Sequence, residues 1–151
     1  MQTIEDLIAS APIFDGLEPE QLRLIAGCGR NEHVESGAFL LREGDPAERF
    51  FLIRRGTVAL EVQAPGRALT IETLHAGDPV GWSWLFAPYR WQLDARALER
   101  CELIGFDGVC LRGKCEADHD LGYELMRRFA ENLVDRLQAT RLQLLDVYGH
   151  G

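Results

Sequence analysis

The side chains best suited to chemistry crowd into residues 74–97, Leu-His-Ala-Gly-Asp-Pro-Val-Gly-Trp-Ser-Trp-Leu-Phe-Ala-Pro-Tyr-Arg-Trp-Gln-Leu-Asp-Ala-Arg-Ala. All three tryptophans of the chain, Trp82, Trp84 and Trp91, stand here beside Phe86 and Tyr89. Indoles offer flat apolar faces and one N–H donor each, so they can stack a flat or hydrophobic effector. Each also buries roughly 150–250 Å2, so two or three together could instead fill a cavity and leave no room for a ligand. Gly81 permits close approach of a ligand to the backbone. Trp82 to Phe86, with Ser83 and Trp84 inside it, can form a helical turn whose first N–H groups face an anion. Arg90 adds a cation next to Trp91. Gly81, Trp82, Ser83, Trp84, Arg90 and Trp91 are therefore the candidate ligand-binding residues.

Other chemistries find less support. His33, His75, His119 and His150 are isolated in sequence, and neither a glycine-flanked nucleophilic serine nor a paired carboxylate stands out. No catalytic residue, metal ligand or cofactor is assigned, and the chain reads as a non-enzyme. Cys28 and Cys101 stand alone, while Cys110 and Cys115, with His119 beyond them, match no compact zinc spacing. Small buried thiols in a reducing compartment are the expectation. The net charge is -8 and the basic residues are scattered, which argues against direct DNA binding. No apolar run approaches the roughly 18 residues of a membrane span, and the N-terminus lacks the basic start of a signal peptide. A cytoplasmic protein without membrane contact is expected.

The elements that must position these residues follow from periodicity. The 151 residues suit one domain, 1–151, with helices in 1–29, a β region in 30–107 and helices in 109–148. Thr3 followed by Asp6 resembles a capping box ahead of Ile4, Leu7 and Ile8. A second helix is expected over about Glu18 to Ala26, with Leu22, Leu24 and Ile25 as its stripe. Short β runs are expected at Phe39 to Arg42, Phe50 to Arg54, Thr57 to Gln63, Leu69 to Leu74, Trp91 to Ala97 and Cys101 to Phe106. Val58, Leu60 and Val62 alternate with Thr57, Ala59 and Glu61, and Gly37, Gly44, Gly56, Gly66 and Gly77 mark turns. Several short strands with regular turns imply a sandwich, jelly roll or barrel.

The last helix carries two stripes. Leu121, Leu125 and Phe129 suit packing back on the sheet. Met126, Ala130, Leu133, Leu137, Thr140, Leu144 and Val147 follow the four-three spacing of a heptad seam, which one helix cannot bury alone. The simplest partner is the same helix of a second copy in a two-fold dimer; the alternative is intramolecular packing of the whole stripe.

These residues carry a family resemblance. Leu40-Leu-Arg-Glu-Gly-Asp-Pro-Ala-Glu-Arg-Phe-Phe-Leu-Ile-Arg-Arg-Gly56 resembles the first signature of the cyclic-nucleotide-binding domain. The order of helices, β region and long helix is similar to that of the catabolite activator family over almost the entire chain. The resemblance implies a mostly β fold with flanking helices, an eight-stranded jelly roll and a long C-terminal dimerisation helix. It also implies a regulatory role in which a small ligand biases the two long helices. In the family a glutamate accepts from the ribose hydroxyl and an arginine grips the cyclic phosphate. Here Val80-Gly81-Trp82-Ser83-Trp84-Leu85 puts Trp82 in the glutamate's place, and Trp91-Gln92-Leu93-Asp94-Ala95-Arg96-Ala97 puts Trp91 in the arginine's place.

The exchange has a chemical consequence. An indole has one donor and no acceptor, and each charged hydrogen bond lost costs about 1.5–3 kcal/mol, so binding of a cyclic nucleotide should weaken by orders of magnitude. Period-two geometry places Trp91, Leu93, Ala95 and Ala97 on one face and Arg90, Gln92, Asp94 and Arg96 on the other, so Arg90 should point outward unless a loop breaks the parity. Thr140 falls where the family places a polar residue that reaches a bound base across the dimer; it could equally bond to its own helix. The expected function is that of a homodimeric sensor module for a cyclic nucleotide or another small, partly apolar effector, acting on a separate effector protein. The alternative is a ligand-free scaffold whose cavity the tryptophans fill.

Overall fold

The computed structural model of the chain describes residues 2–149; His150 lies outside the described residues. Thr3 opens helix α1 (Ile4–Ala9) with the expected capping box, its Oγ1 accepting from the Asp6 N–H at 3.1 Å while the Asp6 carboxylate accepts the Thr3 N–H at 3.0 Å. A 3-10 turn over Pro12–Phe14 leads to helix α2 (Pro19–Ala26). Of its expected stripe, Ile25 is fully buried while Leu22 and Leu24 pack at the margin of the core.

Eight strands follow: β1 (Gly29–Val34), β2 (Phe39–Leu41), β3 (Arg49–Arg55), β4 (Val58–Ala64), β5 (Arg67–Leu74), β6 (Pro79–Val80), β7 (Asp94–Ala97) and β8 (Cys101–Asp107). They form two four-stranded antiparallel sheets, ordered β1-β8-β3-β6 and β2-β7-β4-β5. This is the eight-stranded jelly roll that the resemblance implies, one of the architectures the glycine-punctuated runs leave open. β1 and β6 escaped the sequence pattern, and both are edge strands of the same sheet. The polar run Arg30-Asn-Glu-His33 has no hydrophobic period, and β6 is two residues long.

β7 begins at Asp94, three residues later than the run from Trp91 suggests. The intervening backbone closes instead on the loop after β2. The Gly44 N–H donates to the Trp91 carbonyl at 2.9 Å, and the Trp91 N–H donates to the Asp45 carbonyl at 3.1 Å.

The core is aromatic at its centre. The Phe50 ring is stacked between Trp84 at 4.4 Å and Phe106 at 4.5 Å, and Phe129 meets it edge-on at 5.5 Å. Phe129 belongs to the last of two C-terminal helices, α3 (Gly108–Ala117) and α4 (His119–Gly149). Leu121, Leu125 and Phe129 are buried, so the early part of α4 docks on the sheets as its first stripe requires. The heptad stripe does not pack inside the chain. Met126, Leu137, Leu144 and Val147 are 44–69% exposed, Ala130 and Thr140 are exposed, and Leu133 is half-buried. Beyond Phe129 the grip on the sheets is polar: Arg136 pairs with Glu72 of β5 and, at 3.4 Å, with Asp78 in the loop before β6.

The thiol expectation needs correction. Cys28 and Cys110 form a disulfide with a Cα–Cα distance of 6.1 Å, leaving Cys101 and Cys115 free. An 82-residue separation carries no local signal. The pair meets because β1 and β8 are in register from Gly29 opposite Phe106, with the Asp107 N–H donating to the Cys28 carbonyl at 2.9 Å. Cys28 directly precedes Gly29 and Cys110 follows Phe106 on α3, so both lie at this end of the pairing.

Candidate ligand-binding site

Gly81 closes β6 with φ +100°, a left-handed conformation that favours glycine. There is a second reason for glycine. A Cβ built on Gly81 would come within 2.6 Å of Trp91 Cη2 and 2.7 Å of Trp91 Cζ3, so the distal edge of the indole meets the backbone that a ligand would otherwise approach. The ring is 6% exposed. Leu41 of β2 closes the same spot, with Cδ1 at 3.3 Å from that position.

The turn after Gly81 forms as expected. Trp82 precedes a 3-10 turn over Ser83–Leu85, and the Leu85 N–H donates to the Trp82 carbonyl at 3.1 Å. Trp82 is half-buried against the core and Ser83 is buried. Trp84 is fully buried in the Phe50 stack, with Phe129 edge-on at 5.5 Å; among the described residues its N–H finds no acceptor. Gly81, Trp82, Ser83 and Trp91 are thus brought together, while the Trp84 ring sits in the aromatic core beneath α4.

Arg90 lies outward as expected, but from the loop before β7, where strand alternation does not apply. It is exposed, forms an isolated bridge with Pro46, and donates from Nη1 to the Gly44 carbonyl at 3.2 Å. Its cation braces the loop after β2. Thr140 is exposed, and its hydroxyl donates to the Arg136 carbonyl at 2.9 Å, within its own helix.

The outward face of β7 holds a charge cluster that alternation alone hides. Glu61 and Asp94 are both 3% exposed although they sit opposite each other on β4 and β7. Arg96 donates from Nε and Nη2 to the two Glu61 oxygens at 3.0 and 2.8 Å, a bidentate pair that holds the Glu61 carboxyl below its ordinary value. Asp94 accepts from the Glu43 N–H at 2.7 Å and the Gln63 amide at 3.1 Å. These bonds fix β7, the strand that follows the Trp91 segment.

Arg112 is the residue that sequence reasoning missed. It reaches from α3 to donate to the Trp84 carbonyl at 2.5 Å and the Ala47 carbonyl at 3.3 Å, and its guanidinium lies 4.2 Å from the Tyr89 ring centroid. One side chain therefore ties α3 to the turn that carries Trp84 and to the loop after β2. No spacing in the sequence links positions 28 and 65 residues apart. Among the described residues no group of three or more His, Cys, Asp and Glu could hold a metal ion. No helix among them is long and apolar enough to cross a membrane.

Residues 31–118, more than half of the chain, match the cyclic nucleotide-binding domain family, and the chain belongs to it. It is 24% identical over 145 residues to the CRP-like cAMP-activated global transcriptional regulator of Mycobacterium tuberculosis, covering 95% of this chain and 63% of that protein. The chain therefore spans less than two thirds of that relative. A solved protein of Geobacter metallireducens described as cyclic nucleotide-binding superposes with a TM-score of 0.81 at 28% identity, covering 91% of this chain and 99% of that one. The catabolite activator protein of Thermus thermophilus gives a TM-score of 0.70 at 24% identity, over 91% of this chain and 63% of its own, and so shares the fold.

Proposed function

We propose that this chain is a regulatory sensor module that works as a homodimer through α4 and responds to a small ligand at the Gly81–Trp91 cassette, with affinity for cyclic nucleotides well below that of relatives carrying the ionic contacts. The observation that carries the reading is the Trp91 ring lying on Gly81 in a family whose ligands are cyclic nucleotides. Trp91 supplies no charge for a phosphate, Trp82 supplies no carboxylate for a ribose, and Arg90 is engaged by Gly44. The cassette is then suited to an effector that displaces or stacks on indole. The exposed heptad stripe supports dimerisation, because Leu137, Leu144 and Val147 together form an apolar seam of a length that water does not favour leaving open. Output would pass to a separate protein through the relative placement of the two α4 helices, provided the ligand binds one placement better than the other.

The close fit of Trp91 over Gly81 also supports a second reading, a dimeric scaffold whose cavity is closed by its own side chains. Intrinsic tryptophan fluorescence separates the two. In the sensor, titration with cyclic AMP, cyclic GMP or a panel of flat metabolites gives a saturable change that Trp91→Ala abolishes. Silence across the panel, with Trp91→Ala merely less stable, would remove the sensor reading and leave the scaffold.

A further inference from the structure

We propose that the Cys28–Cys110 disulfide is a reversible exchange site for a low-molecular-weight thiol of the glutathione class, and that the bond controls how firmly α3 is held to the α2–β1 junction. A cavity of about 530 Å3 opens onto both cysteines. That volume lies within the range of small-molecule sites. Gly27, Gly29 and Gly105 are among its lining residues, and Arg30 and Arg49 line it as two cations that share one carboxylate, Glu32, with Arg30 Nε at 3.6 Å from it. Glu48 and Asp107 also face it, and Glu32 pairs with Arg49, so the cavity is polar and not strongly charged. Disulfides that act only as staples are enclosed, whereas those that a thiolate can reach are the labile ones.

The two sulfurs are not equivalent. Cys28 is 8% exposed and Cys110 is half-buried, so Cys110 is the open partner. Cys110 is also the third residue of α3, its N–H held by the Asp107 carboxylate at 3.0 Å, so access, not position on the helix, selects it as the sulfur attacked. A small thiolate attacks Cys110 Sγ, the S–S bond breaks, and Cys28 leaves as a thiolate that takes up a proton. A second small thiolate attacks the mixed disulfide at the small-molecule sulfur and releases the Cys110 thiol. Two electrons pass from two small thiols to the protein, yielding a small disulfide and a protein dithiol; the small disulfide drives the reverse. The other two thiols are poor competitors, since burial pushes Cys101 up and Cys115 up to about 11.

With the bond open, the Lys114 ammonium still ties α3 to α2 by donating to the Leu24 carbonyl at 2.7 Å. α3 packs directly on α4, where a Cβ on Gly122 would meet the Cys115 carbonyl at 3.0 Å, so loosening α3 bears on the long helix. The test equilibrates the intact protein in glutathione buffers of rising reduced-to-oxidised ratio, traps thiols with iodoacetamide and maps them by peptide mass spectrometry. Cys28 and Cys110 should change together in one two-electron transition at constant circular dichroism, with α3 amides exchanging at least tenfold faster once reduced. Cys28→Ser should capture one glutathione on Cys110. Full alkylation of the pair at every ratio, reduction only after unfolding, or equal capture on Cys115 would each overturn the proposal, and the wild-type titration stands even if the variant does not fold.

Discussion

If Trp82 and Trp91 weaken cyclic-nucleotide binding by displacing ionic contacts, restoring the charges should strengthen it by an amount the structure lets us set. The perturbation is Trp91→Arg together with Trp82→Glu. The distal indole atoms Cη2 and Cζ3 reach the face of Gly81, so a guanidinium borne on the same Cα can reach the same place. Arginine there would meet a phosphate beside the N–H groups of the Ser83–Leu85 turn. Each charge-assisted hydrogen bond is worth about 1.5–3 kcal/mol, so the pair should contribute about 3–6 kcal/mol. That is roughly 10²- to 10⁴-fold in Kd. Isothermal titration calorimetry with cyclic AMP and cyclic GMP measures it against the wild type and Trp91→Ala. The alanine variant uncovers Gly81 without adding a cation, and its loss of a buried ring should cost about 3–5 kcal/mol of stability, to be checked by thermal melting. An equal gain in the alanine variant would show that the ring merely blocks access. Wild-type affinity matching the double variant would refute the chemical argument altogether.

Trp84→Ala should lower stability by about 3–5 kcal/mol and Tm by about 6–20 °C in scanning calorimetry, because the ring is fully buried in the Phe50 stack. The Arg96 hydrogen bonds lower the Glu61 pKa below 4.5, so this pair's stabilisation is complete above that value and fades as pH falls through the folded pKa. Urea unfolding between about pH 5 and 3 should therefore show a slope that Glu61→Gln flattens. Asp at both Leu137 and Leu144 should shift sedimentation from dimer to monomer while leaving the circular dichroism of the β sheets unchanged. Iodoacetamide should modify Cys115 slowly at neutral pH and faster as pH rises toward about 11, as read by mass spectrometry.

How far the sequence carries can be judged residue by residue. Thr3 with Asp6, and Leu121, Leu125 and Phe129, lie where their spacing puts them because capping and helix-face burial are local rules. Arg90 is exposed as expected, though from a loop and not from strand alternation. Trp84 shows where local reasoning stops: composition marks it as aromatic and near the cassette, but its place against Phe50 depends on packing across 34 residues of sequence and beneath α4. Glu61 looks like an outward strand residue and is buried, because Arg96 supplies its partner from β7. The Cys28–Cys110 bond and the reach of Arg112 are consequences of topology, so no periodicity could have announced them.

Arg136 sets a fulcrum. It is held between Glu72 and Asp78, and residues 137–149 beyond it on α4 are exposed. From there to Gly149 the helix runs about 20 Å at 1.5 Å per residue, so pivoting by roughly 10° would swing the tip by about 3.5 Å. Because Asp78 also accepts the His75 N–H at 2.8 Å, the pivot is anchored in the segment that leads directly to Gly81. A displacement of Asp78 would thereby be magnified at the far end of α4.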